Sequence, residues 1–113
     1  MKKILIIEDC HSNSFLIAQI IGVSKLEVEI KYATNQEEAL ALIEWADLII
    51  SDFTFPITGF LGVLPTIQKA QRPFVLHSAE PEHVKIYDHK LQIAAIPKGA
   101  NFVQTLLGVL KNI

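Results

Sequence analysis

The sequence predicts a doubly wound α/β fold, in which a parallel sheet of five strands lies between two layers of helices. Two observations support this prediction. Short apolar runs rich in Ile, Leu and Val recur along the chain, and segments with apolar residues at helical spacing separate them. Strands that are apolar on both faces are typical of parallel sheets. Strict alternation of strand and helix predicts right-handed crossovers between parallel neighbours.

The five predicted strands differ in how deeply they should be buried. The run Ile4-Leu5-Ile6-Ile7 and the segment Asp47 to Asp52 are short and continuously apolar, as expected for central strands. Leu26 to Ala33 alternates apolar and charged residues, which is typical of a strand near a sheet edge. Pro73 to Ala79 and Ile93 to Ile96 complete the set. Five strand-helix units favour the flavodoxin-like strand order 2-1-3-4-5.

A predicted helix follows each strand. The tetrad Thr34-Asn35-Gln36-Glu37 fits a capping box at the start of the second helix. The third contains Pro65, a residue that helices tolerate mainly in their first turn. The predicted helices are the first from a cap at Ser12 or Asn13 to Gly22, the second onward to Ala46, the third from Phe60 to Ala70, a poorly patterned fourth from Glu82 to Leu91, and the last from Asn101 to Leu110.

Composition and charge restrict the possible functions. The chain has 113 residues, half of them hydrophobic, and we expect a single domain spanning residues 1–113. A formal net charge of −2 provides no basic surface, so we expect no direct DNA binding. The first apolar run stops at Glu8, too early for a signal peptide or membrane span. A single cysteine, Cys10, suits a reducing compartment, and we expect a cytoplasmic protein without membrane contact.

Acidic residues follow two of the buried strands at the point where each strand ends. Glu8 and Asp9 come after the first strand, and Asp52 ends the third. Strands one and three are neighbours in the predicted order, so the three carboxylates should converge at the sheet edge where open α/β folds bind ligands. Clustered carboxylates repel one another unless a cation intervenes. The cluster therefore predicts a site for a hard cation such as Mg²⁺.

Two further polar residues end strands at the same edge. Ser78 ends the fourth strand and Lys98 follows the fifth. An attacking carboxylate, a cation, a hydroxyl that donates a hydrogen bond and a lysine that supplies positive charge are the components of phosphoryl transfer. Their order along the chain indicates this chemistry better than any one of them alone.

With these residues the chain resembles the receiver domain of two-component response regulators, of the single-domain, chemotaxis-regulator-like kind, from Lys2 to about Leu110. Receivers typically have an acidic pair after the first strand, an aspartate with proline four positions later, a Ser or Thr, and a lysine. The matching residues are Glu8 and Asp9, Asp52 with Pro56, Ser78, and Lys98.

The resemblance implies a role for each residue. Asp52 would be the phosphoacceptor, Ser78 would hold the phosphoryl group, and Lys98 would pair with it. The implied Mg²⁺ ligands are Glu8, largely through water, Asp9, Asp52 and the backbone carbonyl of Thr54.

The chain departs from the receiver pattern around the lysine. Receivers usually have a switching aromatic residue three positions before it, where this chain has Ala95, and a proline after it, whereas Pro97 precedes Lys98. Either the loop is rearranged, or Ile96 takes the lysine's place and Lys98 only reaches toward it. The glycine behind the phosphorylation loop, Gly59, also comes one residue early. The switch region is therefore expected to be atypical.

Two functions remain open on the sequence. One is a stand-alone response regulator that receives a phosphoryl group from a sensor histidine kinase or phosphotransfer protein, contacts a downstream protein, and catalyses at most its own Mg²⁺-dependent phosphorylation and dephosphorylation. The other is a pseudo-receiver that binds proteins without phosphorylation. An electron carrier or hydrolase is disfavoured, because Glu8-Asp9-Cys10-His11 stands where a phosphate-binding loop would lie. The six-residue spacing of His77, His83 and His89 disfavours a zinc site.

Overall fold

A computed structural model describes all 113 residues and contains one parallel sheet in the order β2-β1-β3-β4-β5. The predicted fold class and strand order are confirmed. The strands are β1 (Lys2–Ile7), β2 (Val28–Ala33), β3 (Leu48–Asp52), β4 (Phe74–Ser78) and β5 (Gln92–Pro97), and the helices are α1 (His11–Val23), α2 (Gln36–Leu42), α3 (Phe60–Ala70) and α4 (Phe102–Lys111). None of the helices is long and apolar enough to span a bilayer.

The sheet separates two apolar cores. The first core lies between the sheet and helices α2 and α3, and the second lies between the sheet and helices α1 and α4. Successive side chains of β1 pack alternately into the two cores: Leu5 and Ile7 lie in the first, and Ile4 and Ile6 lie in the second. All four are fully buried. The central strands must therefore be apolar on both faces, which is why their runs are continuous rather than alternating.

The starts of the first two helices differ from the predicted caps. Helix α1 begins at His11, and no side chain caps it, so the predicted cap at Ser12 or Asn13 is wrong. At α2 the capping box is shifted by one residue: Asn35 Oδ1 accepts from the Glu38 amide at 2.9 Å, and Glu38 Oε1 accepts from the Thr34 amide at 2.7 Å. Glu38 supplies the carboxylate instead of the predicted Glu37, and the arrangement differs from a standard capping box in that Glu38 accepts from Thr34, the residue before the cap, rather than from Asn35.

The predicted helix from Glu82 to Leu91 is wrong. The segment contains only a 3-10 turn, Pro81–His83, followed by irregular backbone. Asp88 Oδ1 accepts from the amides of Lys90 and Leu91 at 2.9 and 2.8 Å. Such side-chain bonds to nearby amides compete with the helical hydrogen-bond ladder. The chain therefore has four α-helices rather than five, while the strand order is unchanged.

A glycine is required where the loop after β3 enters α3. Gly59 has φ +71°, and a Cβ added there would lie 2.7 Å from the carbonyl oxygen of Phe53. The same oxygen accepts from the Phe60 amide at 2.8 Å, so the backbone cannot withdraw without losing this bond. The close approach anchors the loop that leaves Asp52.

We expect Gly59→Ala to lower the free energy of unfolding by about 2 kcal/mol, because alanine is strained in this backbone region and its Cβ collides with Phe53. Urea unfolding measures the loss. Gly108→Ala is the matched control: Gly108 lies in α4 with nothing within 4 Å of a Cβ, and alanine there should stabilise by about 0.5–1 kcal/mol. Equal effects of the two changes would contradict the steric account.

Candidate functional site

The predicted acidic cluster is present at the carboxyl end of the sheet. Strands β1 and β3 are hydrogen-bonded parallel neighbours in which Ile7 pairs with Ser51, so the residues that follow them emerge side by side. Glu8, Asp9 and Asp52 each offer a carboxylate oxygen, and these oxygens lie within 4.8 Å of one another. Glu8 is 1% exposed and Asp52 is 7% exposed, whereas Asp9 is exposed to solvent. Two of the three charges are thus largely removed from water.

Lys98 reaches this cluster. Its Nζ lies 3.0 Å from Glu8 Oε1 and 3.0 Å from Asp52 Oδ2. Ile96 is instead buried in the second core, so it does not take the lysine's place. The Lys98 amide donates to the Ser78 carbonyl at 2.9 Å, which extends the β4–β5 pairing past Pro97 and carries the lysine to the sheet edge.

The ion pairs leave the cluster short of positive charge. Burial raises the pKa of Glu8, the Asp52 carboxylate raises it further, and Lys98 only partly offsets both. Burial alone would lower the pKa of Lys98, but Asp52 and Glu8 together hold it above its usual value. Lys98 therefore stays charged at neutral pH. One ammonium serves two buried carboxylates, and a further cation would relieve the repulsion that remains.

The Asp52 carboxylate is held at both oxygens. Oδ2 binds Lys98, and Oδ1 accepts from the Phe53 amide at 2.7 Å. The Thr54 amide lies 3.5 Å from Oδ1, so the loop passes beside the carboxylate at this residue. The resemblance implies that the Thr54 carbonyl is a metal ligand.

Ser78 lies at the same edge, but its hydroxyl is hydrogen-bonded to a nearby backbone amide. It is 2% exposed, and its strand β4 is the neighbour of β3, with His77 paired to Asp52. Its Oγ accepts from the Glu80 amide at 3.1 Å. This bond is the one expected of a serine at a turn, and the hydroxyl can still donate its own hydrogen to another group.

His77 was not among the predicted site residues, and the structure places it in an unusual setting. It is 1% exposed, and neither ring nitrogen has a hydrogen-bond partner in the protein. Its ring meets Phe102 edge-on with centroids 5.7 Å apart. Burial lowers the pKa of His77 to about 4, with a smaller contribution from Lys98 that Asp52 opposes. The only sequence signal for His77 is its position inside an apolar strand, directly before Ser78.

The three histidines do not form a metal site. His83 stacks on Phe53, which packs against the first core, with ring centroids 4.0 Å apart. His77 contacts Phe102 of the second core, across the sheet. Glu8, Asp9 and Asp52 are the one group of three potential metal-ligating residues that the structure brings together.

An aromatic cluster lies next to Asp52 on the side of the first core. Phe53, the residue after Asp52, contacts His83 and also Tyr87, whose ring centroid is 5.6 Å away. Tyr87 comes from the segment that lacks the predicted helix, and its amide donates to Gln92 Oε1 at 2.7 Å. Although position 95 carries alanine, the segment between β4 and β5 thus supplies aromatic rings to the vicinity of Asp52.

Many solved structures similar to this chain are response regulator receiver domains. A CheY-like receiver domain protein from Methanospirillum hungatei is 27% identical, with a TM-score of 0.77 over 99% of this chain and 92% of that one. The CheX-CheY-BeF3-Mg²⁺ complex from Borrelia burgdorferi is 19% identical, with a TM-score of 0.81 over 98% and 87%. The Mn²⁺-bound form of response regulator Rcp1 is 21% identical, with a TM-score of 0.72 over 100% and 91%.

No protein-family model matches the sequence, and no curated protein matches it. The similarity is therefore carried by the fold, which extends over nearly the whole length of both partners in these comparisons. In its architecture and strand order, the chain has the fold of the response regulator receiver domains.

Proposed function

We propose that this chain is a response regulator receiver that accepts a phosphoryl group on Asp52 from a sensor histidine kinase or a phosphotransfer protein. The observation that supports it is the Asp52 carboxylate, bound 3.0 Å from Lys98 Nζ and grouped with Glu8 and Asp9 at the carboxyl end of the central strands. A carboxylate oxygen attacks phosphorus, a P–O bond forms, and the P–N bond to the donor's histidine breaks with its electron pair going to the leaving imidazole. In this proposal the acceptor is the chain's own Asp52, and the chain catalyses at most its own Mg²⁺-dependent phosphorylation and dephosphorylation.

The donor set fits Mg²⁺. Carboxylate and carbonyl oxygens are the ligands that this ion prefers, and three carboxylates with a deficit of positive charge lie within reach of one another. Glu8, Asp9, Asp52 and the Thr54 carbonyl would hold the ion, which when bound neutralises the oxygens of the transferred group. The Mg²⁺ and Mn²⁺ in two similar proteins support a divalent ion here.

Lys98 and Ser78 act on the transferred phosphoryl group. Lys98 Nζ already contacts Asp52 Oδ2, so its charge is placed to pair with oxygens attached to that atom. Ser78 can donate its hydroxyl hydrogen toward them while Oγ keeps the Glu80 amide. The phosphoryl group adds a charge of about −2 beside the aromatic cluster around Phe53.

The output in this proposal is contact with a downstream protein in the cytoplasm. The net charge of −2 gives no electrostatic basis for DNA as the target. The CheX-CheY complex shows that a similar protein binds a protein partner.

Intact mass after incubation with acetyl phosphate tests the proposal. We expect the wild-type protein to gain the mass of one phosphoryl group only when Mg²⁺ is present, and Asp52→Asn to gain none. Asp47→Asn is the matched control: Asp47 immediately precedes β3, at the end away from the acidic cluster, where its Oδ2 accepts from the Lys3 amide at 2.9 Å. Labelling that persists in Asp52→Asn would contradict the assignment of the phosphoacceptor.

A phosphorylation-independent pseudo-receiver is the second candidate. Ala95 lacks the usual switching aromatic side chain, and the order Pro97-Lys98 departs from the receiver pattern. Folded wild-type protein that gains no phosphoryl group from acetyl phosphate or from a phosphorylated histidine donor would favour this candidate.

A further inference from the structure

A cavity of about 150 Å³ lies where α1, the loop after β5 and the start of α4 meet. None of the three clustered acidic residues lines it, although Lys98, which binds two of them, does. Leu16, 37% exposed, and the exposed Gly99 connect it with solvent, and a Cβ at Gly99 would meet nothing within 4 Å. Besides Gly99, its walls are the apolar Leu16, Ile17 and Phe102 and the polar Asn13, His77 and Lys98.

His77 is the polar group that marks this cavity as a binding site. The side chain lines the cavity and is buried, yet neither ring nitrogen has a protein partner. A buried polar group without a hydrogen bond costs about 1–3 kcal/mol, so such groups are rare without a reason. Buried imidazole is neutral and presents one N–H donor and one nitrogen acceptor. A ligand with a single hydroxyl or ring N–H would satisfy one of the two ring nitrogens.

The walls also restrict the charge and size of the ligand. Lys98 is the one ionised side chain among them, and its ammonium is already bound to Glu8 and Asp52. The cavity therefore offers no free charge to a charged ligand. Its volume is that of an apolar cavity able to hold one benzene ring. Phe102, which meets the His77 ring edge-on, adds an aromatic wall.

We propose that this cavity binds a small neutral aromatic molecule of the size of phenol, whose hydroxyl or ring N–H is hydrogen-bonded to His77. Its ring packs against Leu16, Ile17 and Phe102. Because Lys98 lines the cavity and also binds Asp52, such a ligand contacts the lysine of the candidate phosphorylation site without contacting its acidic residues.

Titration of ¹⁵N-labelled protein with phenol, and separately with benzene, tests the proposal. We expect phenol to bind one site and to shift the amides of Asn13, Gly99 and Phe102, with an affinity about tenfold higher than that of benzene, because only phenol can bond to His77. In His77→Phe the phenol affinity should fall about tenfold while that for benzene stays within about threefold. His83→Phe changes a histidine outside the cavity, and phenol binding should be unaltered.

Three results would overturn the proposal: no localised shifts with phenol, equal affinities of the wild-type protein for phenol and benzene, or undiminished phenol binding by folded His77→Phe. If that variant does not fold, the comparison of phenol with benzene on the wild-type protein decides the question alone. Neither the comparison of phenol with benzene nor the His77→Phe variant requires Asp52 to be phosphorylated.

Discussion

Replacing Lys98 by methionine is expected to lower the free energy of unfolding by about 3 kcal/mol at neutral pH. The substitution keeps a stem of similar length but leaves Glu8 and Asp52, both largely buried, without their shared ammonium 3.0 Å away. Removing one partner of a buried ion pair is costly because the remaining charge stays desolvated. Urea unfolding of the wild type and the variant in metal-free buffer measures the difference.

The unfolding free energy of Lys98→Met should also depend on pH differently from that of the wild type. Burial and Asp52 already raise the pKa of Glu8 above 4.5, and loss of Lys98 raises it further. The folded state then binds a proton more readily than the unfolded chain, so the deficit of the variant shrinks as the pH falls toward 4.5. Added Mg²⁺ should restore part of the loss at neutral pH. Lys90→Met, at an exposed lysine, should change stability by less than about 0.5 kcal/mol; an equal loss in both variants would contradict the ion-pair account.

The central position of β1 and β3 was predictable because burial on both faces leaves a strong pattern in the sequence. Ile4 to Ile7 and Leu48 to Ile50 are buried on both faces of the sheet, and a strand in that position cannot alternate with polar residues. The segment between β4 and β5 was not predictable in the same way. Its conformation depends on side-chain bonds such as those of Asp88 and Gln92 to amides and carbonyls, which have no periodicity to detect.

The acidic cluster was predictable from topology alone. Once β1 and β3 are parallel neighbours, Glu8 and Asp52 must emerge together. The sequence did not decide whether the Lys98 side chain arrives at the acidic residues, because the order Pro97-Lys98 allowed two backbone arrangements. In the structure the Lys98 amide donates to the Ser78 carbonyl, which brings the lysine to the sheet edge. His77 was missed as a feature of interest because the sequence does not show that a cavity lies beside its face of the strand.

Apart from Gly59, which lies between β3 and α3, the departures from the receiver pattern fall after β4. Glu8, Asp52 and Lys98 are arranged as an interacting group, whereas Ala95 and the missing helix both fall after β4. Tyr87 nevertheless packs against Phe53, one residue from Asp52.

The buried His77 should make the protein sensitive to mild acid. Its pKa is about 4 in the folded state, against an ordinary value of 6.5 for the unfolded chain. The unfolded chain therefore takes up the proton first, so stability is fully present above about pH 6.5 and declines as the pH falls toward 4. The difference between the two pKa values corresponds to a loss of about 3 kcal/mol between pH 7 and pH 4.

Urea unfolding at pH 7, 5.5 and 4 isolates this contribution when the wild type is compared with His77→Phe. All other titrating groups are common to both proteins, so the difference in their unfolding free energies should change by about 3 kcal/mol over the range, in favour of the variant at low pH. His89→Gln removes an exposed histidine and should keep the wild-type dependence. Parallel curves for the wild type and His77→Phe would mean that His77 is protonated inside the folded protein as easily as in the unfolded chain, and that the ring is not desolvated as its burial indicates.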